Sequence, residues 1–129
     1  LPDWIRRQWV TVTPYLTGFK GQDYIFDVYR NAQLVLGNRF HANVCSIGLA
    51  RPSIGLSNYP KVQAVYNELN MSTRCIEINK QGFGELLLPL IQASINNETE
   101  ISSSYKSTVH ELRLDLDAFH KKIHTLIHS

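Results

Sequence analysis

The chain has 129 residues, 43% of them hydrophobic and 19% charged, with a formal net charge of +2. That is enough for one compact domain with a real core, which excludes a disordered chain; acids and bases are interspersed with no basic run or basic-aromatic stripe, so no nucleic-acid surface is expected. No apolar stretch approaches the ~18 residues of a membrane span and no signal-peptide pattern opens the chain. The two cysteines, Cys45 and Cys75, make no disulfide framework, so the expected location is cytoplasmic or peripheral to a membrane.

In chain order, Val10–Thr13 is β-branched, is closed by Pro14 and reads as a strand. Gln22 to Ala32 carries Tyr24, Ile25, Val28 and Tyr29 at helical spacing. Gln33 to Gly37 is a second strand. Arg39 to Ala50 is apolar almost all round, as suits a helix buried between a sheet and its neighbours. Arg51-Pro52 stops that helix, because a residue before proline avoids the helical region. Ser53–Ser57 is a third strand. Pro60 sits where a first-turn proline is tolerated, and Val62, Val65, Tyr66 and Leu69 follow at helical spacing. Arg74–Ile78 alternates as a fourth strand, and Gly82 to Asn96 is helical. Asn97 to Ser104 is the most polar stretch and reads as a linker. Ser107 to His128 is a long amphipathic helix.

Strand and helix therefore alternate with short connections, which predicts an α/β domain with a mostly parallel sheet. Residues 1–100 form the expected domain, and residues 101–129 the expected C-terminal amphipathic helix packed on it. So small a sheet suggests one half of a two-domain protein.

The junction Leu34-Val35-Leu36-Gly37-Asn38-Arg39-Phe40-His41 carries the chemistry. A short apolar run ends in Gly, and an Arg and a His open the following helix. In parallel α/β sheets, ligands sit at the carboxyl ends of strands beside helix N-termini. The helix end, its exposed N–H groups and the Arg39 fork favour a phosphate or carboxylate there. The alternative for Arg39 is an ion pair with an acid such as Asp27, and for His41 an ordinary helix histidine. Lys61 is a point charge at the next helix start, suited to a phosphate or simply solvated. Asn38 and Asn58 end strands, where they can touch a ligand, although helix capping is the commoner role.

His120, His124 and His128 recur at i, i+4 and i+8 on the border of an apolar stripe of Leu112, Leu116, Phe119, Ile123 and Leu126. That spacing can present two ligands to a metal, but a solvated flank explains it as well, and no metal site is assigned. No Gly-x-Gly-x-x-Gly loop supports a dinucleotide, and no cofactor is expected.

The run from Arg39 through Phe40, His41, Pro52 and Tyr59 to Pro60 and Lys61 resembles the signature of the polysaccharide pyruvyl transferase family. There an Arg-x-His pair opens a helix, a proline starts the next strand, and a Pro-Lys pair opens the following helix. The similarity covers roughly residues 20–80 of this chain. The sequence departs from the pattern at Phe40, where leucine is usual, at Ala50, where Gly is frequent, and at Asn58-Tyr59, where Tyr-Asp is common. The resemblance implies a Rossmann-like three-layer domain, one half of a B-type glycosyltransferase fold. It implies transfer of pyruvate from phosphoenolpyruvate to two sugar hydroxyls as a cyclic ketal, in polysaccharide biosynthesis. It makes this segment the C-terminal, donor-binding half, with Arg39 and His41 on phosphoenolpyruvate and His41 either donating to its phosphate or acting as the catalytic general acid. A missing N-terminal Rossmann-like half would then supply the sugar or polysaccharide-precursor acceptor, and this chain would be inactive alone. Two other readings remain: a non-catalytic α/β binding module, and the donor half of a nucleotide-sugar glycosyltransferase.

Overall fold

A computed structural model describes residues 16–128. The expected strand at Val10–Thr13 lies outside the described residues. The elements run α1 (Gly18–Asn31), β1 (Val35–Gly37), α2 (Phe40–Gly48), β2 (Ser53–Ser57), α3 (Pro60–Glu68), a 3₁₀ turn (Ser72–Arg74), β3 (Cys75–Glu77), α4 (Phe83–Asn96) and α5 (Glu98–His128). The three strands form one parallel sheet in the order β1-β2-β3. This is the alternating α/β arrangement with a parallel sheet that the sequence predicts, with element ends shifted by a few residues.

Pairing in register puts Val35, Gly37, Ser53, Gly55, Ser57, Cys75 and Glu77 on one face of the sheet, since residues two apart share a face. Small residues dominate that face, and the helices approach closely because of them. A Cβ at Gly55 would lie 2.5 Å from Cε2 of Tyr66, and one at Gly37 would lie 2.8 Å from the Asn43 carboxamide. Both glycines are thus required by contact with a side chain that fills the space. The apolar core gathers Ile47 of α2, Val62 and Tyr66 of α3, Met71 and Tyr105 of α5.

Helices α2 and α3 end alike. Residues Ala50 and Asn70 adopt left-handed backbone, with φ of 54° and 57°. Each donates to the carbonyl three residues back, at Ile47 and Asn67, while the next residue, Arg51 or Met71, donates to Ser46 or Tyr66. This is the Schellman stop. It turns the chain directly into β2 in one case and towards β3 in the other.

The stretch Asn97 to Ser104 is not a linker. Helix α5 starts at Glu98 and continues unbroken to His128. Thr99, Glu100, Ser103 and Ser104 are exposed, while half-buried Ile101 and buried Tyr105 pack onto the core. Glu98 also meets Arg51 at 3.5 Å. Helical spacing of those two apolar residues outweighs the polar composition. From His110 onward every described residue of α5 is exposed.

Candidate active site

The carboxyl ends of β1 and β2 lead directly into α2 and α3. Arg39 and Tyr59, both extended, are the residues immediately before those helices. Neither helix has a side-chain cap, so Asn38 and Asn58 do not take the capping role that their residue type favours. Pro60 at the first position of α3 fits there because its missing N–H would have no intrahelical acceptor.

An open cleft of about 830 Å³ lies between the start of α2 and the side of α3. Arg39, Phe40 and His41 form one wall, and Tyr59, Lys61, Ala64, Val65 and Glu68 the other. Three of the predicted site residues, Arg39, His41 and Lys61, therefore meet in one cleft. Asn58 does not join them. It lines a neighbouring hollow of about 550 Å³ at the ends of β2 and β3, with Ser57, Glu77 and Asn79. Tyr59 and Ala64 border both hollows. The Asn58 carbonyl accepts a 3.0 Å hydrogen bond from the Asn79 side chain, which ties the β2 end to the loop after β3. Asn38 is exposed on the turn and lines neither hollow.

Arg39 makes no ion pair with a described residue. The acid considered as its partner, Asp27, pairs instead with Arg30 at 2.8 Å. Two cations and an imidazole that share an open cleft with uncapped helix starts make an environment that favours an anion. Glu68, at the far end, is an acceptor for hydroxyl groups.

Beneath the turn lies a buried polar chain. The Asn43 amide donates to the carbonyls of Gly37 at 2.9 Å and Arg39 at 2.8 Å, so one side chain clamps both ends of the site turn. Its carbonyl oxygen accepts from the Tyr66 hydroxyl at 2.8 Å. Tyr66 meets the Ser53 hydroxyl at 2.8 Å, and Ser53 meets Tyr105 at 3.2 Å. Arg74 donates through Nε to the Ser53 carbonyl at 3.0 Å and to the Tyr105 hydroxyl at 2.9 Å, and through its fork to Ser94 at 3.1 Å. No buried side-chain polar atom among the described residues lacks a partner. Burial pushes the Tyr66 phenol far above its usual range, so it stays neutral and can donate. Sequence reasoning passed over Asn43 because helix α2 read as apolar all round. Its signal was a polar residue, with Ser46 one turn on, inside that apolar stretch.

The histidines of α5 are exposed. His124 and His128 have ring centroids 4.3 Å apart, and no group of three or more metal-ligating residues gathers among the described residues. Cys45 and Cys75 are free thiols, and burial pushes the Cys75 thiol upward. No described helix is long and apolar enough to cross a membrane.

No curated protein and no solved structure gives a significant match. Residues 13–59 match the family model described as polysaccharide pyruvyl transferase. The matched stretch holds β1, the Arg39–His41 turn, α2 and β2, and it ends at Tyr59, so Lys61 lies just beyond it. Over this segment the chain is similar to the polysaccharide pyruvyl transferase family.

Proposed function

We propose that this chain supplies the donor site of a pyruvyl transferase, with phosphoenolpyruvate bound in the cleft between α2 and α3. The observation that carries the reading is the meeting of Arg39, His41 and Lys61 in that one cleft, with Arg39 and His41 inside the family-matched segment. The donor has a phosphate and a carboxylate. Arg39 offers a planar fork to one of them, Lys61 a point charge to the other, and the first-turn N–H groups complete the seat. Protonation of the enol methylene by His41 leaves a cationic carbon that a sugar hydroxyl attacks. Loss of inorganic phosphate and closure by a second hydroxyl then give the ketal. The acceptor and any second catalytic group come, in this reading, from a partner half that is Rossmann-like and N-terminal.

Glu68 in the same cleft favours one other reading, a nucleotide-sugar donor, because a carboxylate there can accept from a ribose diol. Equilibrium binding separates the two. The proposal expects phosphoenolpyruvate to bind more tightly than a uridine diphosphate sugar and to be competed by inorganic phosphate. Preference for the nucleotide sugar, lost in Glu68→Gln, would support the other reading.

A further inference from the structure

We propose that the projecting half of α5 pairs antiparallel with α5 of a second copy of this chain, making a homodimer. The apolar positions Tyr105, Val109, Leu112, Leu116, Phe119 and Ile123 follow one another at alternating intervals of four and three residues, and Leu126 continues the series. That is a heptad seam, with a period near 3.5. Its first two members pack on the core of their own domain. The seam then leaves the body unbroken, with Leu116 at 51%, Phe119 at 57% and Ile123 at 38% exposure. A seam that is satisfied at one end and exposed at Leu116, Phe119 and Ile123 needs a second helix.

The sequence of the seam selects both the occupant and its direction. Aligned antiparallel, Leu116 faces Phe119 of the partner subunit, and Leu112 faces Ile123 of the partner subunit. On one flank the same register places Asp115 opposite Lys122 of the partner subunit, and symmetry repeats that ion pair. The other flank sets Arg113 against His120 of the partner subunit, which adds no attraction. The base of α5 supports the same direction. An almost wholly apolar groove of about 270 Å³ lies there between α5 and the domain, walled by Val44, Ile47, Val65, Leu69 and Leu112. In the antiparallel register the partner's Ile123 runs along that groove. A parallel pair would leave the groove empty and bring both domains to the same end. The contact is isologous, so it closes at two copies.

Sedimentation velocity on the 129-residue chain from micromolar to about half-millimolar concentration tests this. The expected result is a reversible monomer–dimer equilibrium. Leu116→Asp, which alters an exposed position twice per dimer, should weaken it at least ~100-fold while the urea unfolding of the monomer stays unchanged. Asp115→Lys should weaken it roughly 10-fold at low salt, and adding Lys122→Asp should restore it. Monomer at every concentration overturns the proposal, as does a dimer indifferent to Leu116→Asp. Failure of the double reversal to restore pairing overturns the antiparallel register. Co-sedimentation of the wild-type chain with anionic vesicles, without self-association, would assign the stripe to a lipid surface instead.

Discussion

Asn43→Asp is the sharpest probe of what holds the site turn. The substitution keeps the shape of a fully buried side chain and its acceptor for Tyr66, but removes both N–H donors. A carboxylate then faces the carbonyls of Gly37 and Arg39, which it cannot hydrogen-bond. An unsatisfied buried acceptor costs about 1–3 kcal/mol, and an uncompensated buried charge about 3–5 kcal/mol. The expected loss at neutral pH is therefore about 3–5 kcal/mol, a large part of the ~5–15 kcal/mol typical of a whole domain. Asn43→Ala, which leaves a small cavity but no charge, should lose less, about 2–4 kcal/mol. The Asp variant also carries a pH signature. Burial raises the introduced carboxyl's folded pKa above its unfolded value of roughly 4, so its protonated form is the one the fold tolerates. Its deficit should be smallest near pH 4 and grow as pH rises. Urea unfolding at several pH values reads this as a shift in midpoint at constant slope. A loss under about 0.5 kcal/mol at pH 8 would refute the clamp, given the size of the penalties above.

Tyr66→Phe should lose about 1–2 kcal/mol, because the Asn43 carbonyl loses its hydroxyl donor and Ser53 loses one partner; equilibrium unfolding reads it. The same variant should flatten the alkaline limb of stability. The Tyr66 phenol is raised above its ordinary 10.0 chiefly by burial, so the wild-type chain should lose stability as pH climbs past about 10, where only the unfolded state ionises. Ala50→Gly should stabilise by about 0.5–1 kcal/mol, since a left-handed Ala at φ 54° carries a strain that Gly lacks; a thermal melt checks it. Gly55→Ala should destabilise by roughly 1–3 kcal/mol or more, because its Cβ would meet the Tyr66 ring at 2.5 Å, and urea unfolding again decides.

The alternation of strand and helix was legible because each unit carries its own local signal. The β-branched and apolar runs, Pro52 as a stop and Pro60 as a start all act within a few residues. The position of Arg39 and His41 was legible for the same reason, since a strand that ends in Gly37 hands the chain to a helix at the sheet's carboxyl edge. What sequence alone missed is tertiary. Asn43 matters through Gly37, Arg39 and Tyr66, contacts that span up to 23 residues. Asn97–Ser104 read as a linker from its polarity, yet it is helix because Ile101 and Tyr105 meet the core across α2 and α3. The separation of Asn58 from the cleft follows from Tyr59, which stands between the two hollows and whose position depends on how α3 leaves β2.

In the proposed reading the β1–α2 turn seats an anionic donor. A backbone-amide chemical-shift titration with phosphoenolpyruvate tests it most directly, run on the wild type, Arg39→Lys and Arg39→Ala. One charge-assisted fork contributes about 1.5–3 kcal/mol and one helix start about 0.3–1 kcal/mol, so this chain alone should bind weakly, in the millimolar range at best once association entropy is counted. Saturable shifts centred on residues 38–41 and 61 are expected. Binding should be weaker in Arg39→Lys, where the charge stays but the fork is lost, and absent in Arg39→Ala. Shifts that avoid residues 38–41, or identical titrations in the wild type and Arg39→Ala, would contradict that reading.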